Sequence, residues 1–212
     1  TDPEKLVEVT TGRLKATRKE LVEALRGYVT ANHRLLLKLH LDQMRALDAA
    51  MATVDKEVGA LLEPFRAHVE LLTTMPGVSH TVAEVIVSEI GLDMDRFPSA
   101  GHLVSWAGLC PRSDESAGKR RSMRVRHGAP WLKATLVQAA WCAVRTKGSY
   151  LRAQFARIKS RRGPKKALIA VAASMLNAAY HMLRDGVVYE DLGADYFERR
   201  DRTKVVNRLV RR

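Results

Sequence analysis

From Thr30 to Glu63 the chain has no proline and one glycine, Gly59, and its apolar positions fall in alternating steps of three and four. Leu37, Met44, Leu47, Met51, Val54, Val58 and Leu61 make the series, with His40 in its one gap. The spacing predicts one long helix carrying a heptad seam of about three and a half repeats. Arg45, Asp48, Asp55 and Lys56 flank the seam, which favours a coiled coil over an amphipathic helix packed on its own domain. Upstream, Thr17 and Glu20 form a capping-box pair that opens a shorter helix, and Gly27 can stop it. Pro64 closes the long helix and suits the first position of the next.

Beyond residue 66 the pattern shortens. Leu71 and Leu72 precede Met75-Pro76-Gly77-Val78-Ser79, and Val82, Ala83, Ile86, Val87 and Ile90 then recur at helical spacing up to Gly91. Two short helices joined this way predict either a helix-hairpin-helix or a plain helical corner. In the former the glycine permits a tight turn and backbone N–H groups at the second helix face a phosphate. Ser99 can cap a helix to Trp106 that Gly108 ends, and Pro130 opens one bearing Leu132, Leu136, Val137, Ala140 and Val144. Gly148-Ser149 starts another, ending in Arg157, Lys159, Arg161 and Arg162. After Gly163-Pro164 an alanine-rich helix runs to about Gly186, interrupted by enough polar residues to be a core helix and not a membrane span. The charged segment from Tyr196 is expected to be poorly ordered unless bound.

Between Leu109 and Ala129 helical periodicity is lost. An excursion of about twenty residues inside a compact domain is unusual and often functional. It is strongly cationic, with Lys119, Arg120, Arg121, Arg124 and Arg126, and the alternation of Met123 and Val125 with arginines allows one short strand. Ser116 sits beside Ala117-Gly118 with little steric crowding. Its hydroxyl is a candidate nucleophile toward a phosphodiester, with the guanidinium groups neutralising the transition state. The local bases on offer are Asp114 and Glu115, and a solvated loop that only grips phosphates is the alternative.

Composition sharpens this picture. Thirty-six Lys and Arg face 23 Asp and Glu, for a net charge of +13, which points to a polyanion and first to nucleic acid. Aromatic residues are only 6% while Ala, Leu and Val dominate the apolar content, favouring helices over strands. Cys110 and Cys142 have no metal-ligand spacing, and His33 and His40, one heptad apart, share a packing stripe. No membrane partner is expected, and the two cysteines suit reduced thiols of a cytoplasmic protein. The chain opens at Thr1 without a methionine, as a fragment or processed chain would.

The ordered series Met75-Pro76-Gly77-Val78, Ser88-Glu89-Ile90-Gly91, Arg96-Phe97-Pro98-Ser99, Trp106 to Arg112 and Glu115 to Arg121 resembles the DEDD-type insertion-sequence transposases. That family includes the Piv-type DNA invertases and the bridge-RNA-guided recombinases. The segment from His33 to Asp42 is similar to its linking coil. The resemblance implies a serine nucleophile in the basic loop, which by position is Ser116, with Ser113 and Ser122 as the other candidates. Ala117 stands where the family has glycine, and Arg126-His127-Gly128-Ala129 where it has Lys-x-Gly-Asn.

The fold expected is all-α: a projecting coiled-coil helix, then a compact helical transposase domain with a helix-hairpin-helix-like unit and one long basic loop. Residues 1–66 would be linker and coil, 67–195 the transposase domain and 196–212 a basic tail. The function expected is cutting and rejoining DNA through a phosphoserine at Ser116. Lys119, Arg120, Arg121, Arg124 and Arg126 would hold phosphates, and Pro76, Gly77, Val78 and Ser79 would touch the backbone. No cofactor is expected in this segment; Mg²⁺ would belong to a RuvC-like domain carrying the family's acidic ligands, expected to be missing here and to leave this segment inactive alone. DNA, a guide (bridge) RNA and a second copy through the coil are the expected partners. The rival readings are a non-catalytic helix-hairpin-helix DNA-binding module and an oligomerising RNA scaffold.

Overall fold

A computed structural model describes residues 2–10, 15–27, 29–111, 114–122 and 124–200, without the side chains of Asp114, Ser116, Arg120, Arg121 and Ser122. Arg112, Ser113, Met123 and the segment 201–212 lie outside the described residues. The chain divides into two compact units, Thr1–Ala60 and Leu61–Arg212.

In the first unit, Asp2 caps α1 (Pro3–Val9) by accepting from the Glu4 amide at 3.0 Å. The expected capping box opens α2 (Arg18–Leu25): Glu20 accepts from the Thr17 amide at 2.7 Å and the Glu20 amide donates to Thr17 Oγ1 at 3.4 Å. These two helices pack on each other. The heptad segment forms one continuous helix, α3 (Ala31–Leu62), in which no residue is buried. Its seam is open throughout, with Leu47 at 65% and Met51 at 62% exposure. Leu35, Leu36, Leu39 and Leu41 are exposed as well, so the apolar surface is broader at the N-terminal end than the seam alone predicts.

The second unit is built around α9 (Pro164–Asp185), whose Leu168, Val171, Ala172, Met175, Leu176, Ala179 and Tyr180 lie in the core. It receives α4 (Arg66–Thr73), α6 (Ala100–Trp106), α7 (Pro130–Ala143) and α8 (Tyr150–Arg162). Its alanines keep the surface low enough for this many neighbours to approach. By length and hydropathy α9 could cross a bilayer, but more than half of that apolar window is buried inside the protein, as in a core helix. Helix α5 (His80–Ile90) covers α4 and α7. Glycines end the helices where expected, including Gly186 with φ +67° after α9. Ser99 differs from its expected role: its hydroxyl pairs with the His102 ring at 2.8 Å and does not bond the helix backbone.

Two departures matter for function. The excursion expected as a basic loop, with at most one short strand, contains a two-stranded hairpin, β1 (Asp114–Ser116) and β2 (Lys119–Ser122), so the all-α class holds with this one exception. The start of the expected loose tail forms α10 (Tyr196–Arg200). Tyr196 and Phe197 each lie 5.2 Å from the Tyr150 ring, and Arg157 stacks over Phe197 at 4.9 Å. Two aromatic side chains among charges are enough to dock that turn on α8.

Candidate nucleic-acid interface

The basic excursion leaves α6 at Gly108 and re-enters at Gly128, and these glycines press directly against each other's backbone. Gly108 has φ +72°, and a Cβ there would lie 2.7 Å from the carbonyl oxygens of Arg126 and His127. A Cβ on Gly128, at φ +58°, would lie 2.6 Å from the Ala107 carbonyl oxygen. Only glycine at both positions closes this neck. Above it a bridge pairs Pro111 with Val125, and Lys133 Nζ of α7 donates to the Arg126 carbonyl at 2.8 Å. The excursion is thus a tethered arm.

Its tip is a two-residue turn. Ala117 (φ +50°) and Gly118 (φ +73°) are both left-handed, as the turn best suited to a twisted hairpin requires. Alanine in that region costs roughly 1–2 kcal/mol. The register places Ser116 opposite Lys119, immediately before the turn. Glu115 pairs with Arg120 and Asp114 with Ser122, so Arg121 is the extra residue of a bulge. Lys119, Arg124 and Arg126 are exposed.

The Pro76–Ser79 turn joins α4 to α5 as expected. Gly77, at φ +82°, faces the backbone of α7: a Cβ would lie 2.6 Å from the Ala143 amide nitrogen. Val78 is in the core and its amide closes the turn onto the Met75 carbonyl at 3.1 Å. Pro76 is half-buried, and Ser79 is exposed while its hydroxyl accepts from the Val82 amide at 3.4 Å. Of these four predicted contact residues, Ser79 is the one fully open to a partner.

Three further features went unread in the sequence. From Ser116 to Arg184 there are 16 Lys and Arg and no Asp or Glu, so the arm, α7, α8 and most of α9 share an acid-free run. Within it Lys159, Arg161, Arg162, Lys165 and Lys166 are all exposed around the α8–α9 corner, of which the sequence pattern had marked only the α8 part. Trp131 (75% exposed) and Trp141 (45%) stand on the outer face of α7. Counting acids and projecting α7 on a helical wheel would have found all three.

Asp114 and Glu115 stand in the arm just before this run, and the next carboxylate along the chain is Asp185. Asp191 accepts from the Tyr150 amide at 2.9 Å and from the Gly193 amide at 2.8 Å, tying the segment after α9 to the start of α8. Burial, with Asp191 adding to it, pushes the Tyr189 hydroxyl up to about 12. Among the described residues no three His, Cys, Asp or Glu side chains converge to hold a metal ion.

Sequence relatives point to a class. An insertion element IS110 uncharacterized 43.6 kDa protein of Streptomyces coelicolor is 32% identical over 174 residues, 80% of this chain and 38% of that protein. An insertion element IS900 uncharacterized 42 kDa protein of Mycobacterium paratuberculosis is 30% identical over 152 residues, 69% of this chain and 37% of its own length. The class is that of insertion-sequence transposases. Residues 69–156, from α4 through the arm into α8, match the model of the transposase IS116/IS110/IS902 family. The chain spans less than two fifths of the length of these relatives.

Proposed function

We propose that this chain is the DNA-handling part of a longer transposase and that its basic arm delivers Ser116 to a DNA phosphate. The observation that carries the reading is the arm: a hairpin tethered at a glycine neck, with Ser116 at its turn and an acid-free cationic run behind it. Such a surface attracts the phosphate backbone without reading sequence, and a rigid neck holds the tip in register with the domain below. At the tip the Ser116 hydroxyl would attack phosphorus, form a phosphoserine ester and release one sugar oxygen, which takes up a proton. The bond energy is then kept for rejoining. Lys119, Arg120, Arg121, Arg124 and Arg126 would hold the phosphates and offset the charge of the transition state. Ser113 and Ser122 are the neighbouring alternatives.

The open seam of α3 supports self-association, because apolar area of that extent is rarely left in water. A guide RNA fits the same cationic surfaces, and Mg²⁺ bound by the rest of the longer protein would be the place for a cofactor.

The binding half of this proposal is tested by duplex affinity as a function of salt. Wild type should bind much more weakly as salt rises. Replacing Lys119, Arg120 and Arg121 by Ala should flatten the slope by about 0.9 for each phosphate no longer neutralised. An unchanged slope would place the footprint at the α8–α9 corner and remove the arm from the interface.

A further inference from the structure

The outer face of α7 exposes two tryptophans within the acid-free run of the chain. Leu132, Leu136, Ala139, Ala140 and Ala143 face the core, which turns Trp131, Ala134, Gln138, Trp141 and Cys142 outward. The two indoles are ten residues apart, about 15 Å along the helix. The exposed residues between them are Ala134 and Gln138. Trp141 is held by the Phe155 ring of α8 at 6.4 Å, and Lys159 Nζ sits 5.7 Å from that ring's centre. Exposed cations flank the stretch along the chain: Arg126, whose carbonyl accepts from Lys133 Nζ, lies five residues before Trp131, and Arg145 and Lys147 lie four and six residues past Trp141.

We infer that this face is a stacking platform for a single strand of DNA leaving the arm, with unpaired bases on Trp131 and Trp141 and phosphates on the flanking cations. The inference rests on the reading of the arm as a DNA-binding element. Two arguments select this occupant. A duplex hides its base faces, so exposed rings flanked by cations serve a strand whose bases are free to stack. A second copy of the chain laid on this face would set Arg145, Lys147 and Lys159 against their own kind with no carboxylate between Ser116 and Arg184 to offset them. The platform also begins where the arm ends, since Trp131 is three residues beyond Gly128.

The test uses the whole chain, tryptophan fluorescence and three probes: oligo(dT) of about a dozen nucleotides, oligo(rU) of equal length and a blunt duplex. Wild type should bind oligo(dT) with quenching. Trp131→Ala and Trp141→Ala should each weaken oligo(dT) binding by about tenfold and leave duplex binding unchanged, while Trp→Phe at either site keeps most of the affinity. Both rings are exposed, so circular dichroism should match wild type. Replacing Lys119, Arg120 and Arg121 by Ala should weaken duplex binding. If it does so while the tryptophan variants hold oligo(dT) like wild type, the platform is wrong and the arm stands. If it leaves duplex binding intact, the reading of the arm fails instead. Equal weakening on duplex and single strand would mean binding without base stacking and overturn the inference. So would a tryptophan-dependent preference for oligo(rU), which assigns the face to RNA, or a wild-type dimer that the tryptophan variants dissolve.

Discussion

Helices α9 and α3 carry comparable apolar content, yet ten of the 22 residues of α9 are buried and none of the 32 of α3. The difference is not one of pattern strength. Periodicity states that a helix has an apolar face; what covers the face depends on whether the same chain supplies it. For α9 it does, through α4, α6, α7 and α8. The seam of α3, like the cationic arm, is left as a surface. Changes in the first kind of region should therefore cost stability, and changes in the second should cost partners.

The largest expected effect is at the centre of α9. Leu176 is fully buried, and Leu176→Ala should destabilise the protein by about 2–5 kcal/mol in urea unfolding. By contrast, Leu47→Asp with Val54→Asp should leave that unfolding curve in place and shift the sedimentation mass toward monomer. A wild type that is monomeric across micromolar concentrations would end the contrast. Gly77 sharpens it, because sequence placed this residue on a phosphate and the structure sets it against α7. Gly77→Ala should cost roughly 1–3 kcal/mol through backbone strain and the clash with Ala143. Weaker duplex binding at unchanged stability would instead support the phosphate role.

A smaller effect is set by pH. Tyr189 stays protonated in the folded protein up to about 12, whereas in the unfolded chain it ionises near its ordinary value of about 10. Its contribution is present in full below pH 10 and is lost as pH rises through 12. Absorbance at 295 nm should show a late tyrosine, and Asp191→Asn should make it ionise earlier; no late phase would refute the half-buried placement. Least of all, Ala117→Gly should stabilise the hairpin, by about 1 kcal/mol at most, since glycine meets φ +50° without strain. Slower amide exchange in β1 and β2 would register the gain.

These contrasts also explain what could be read beforehand. The helices were legible because their ends are written locally: Thr17 with Glu20, Pro64, Gly91, Pro130, Ser149 and Gly186. That α9 is a core helix followed from its apolar run and the polar residues that interrupt it. The hairpin was not legible, because its turn places an alanine where the usual signal is asparagine or glycine, and its neck depends on Gly108 meeting Gly128 across the excursion. The docking of Tyr196 and Phe197 is likewise tertiary. Ser116 was singled out from its neighbours, and its place beside the turn adds a framework for the chemistry proposed for it.

The direct measurement is a covalent one, made with the longer transposase proposed above and supplied with DNA, Mg²⁺ and the guide RNA proposed for it. After denaturation a protein–DNA adduct should survive in wild type and be absent in Ser116→Ala, while native DNA binding by the variant stays close to wild type. One hydroxyl adds little affinity, but under the proposed mechanism it is the attacking atom. An adduct that persists in Ser116→Ala would move the nucleophile to Ser113, Ser122 or elsewhere. Recombination by wild type with no adduct under any trapping condition would contradict the serine mechanism and leave the arm as a binding element alone.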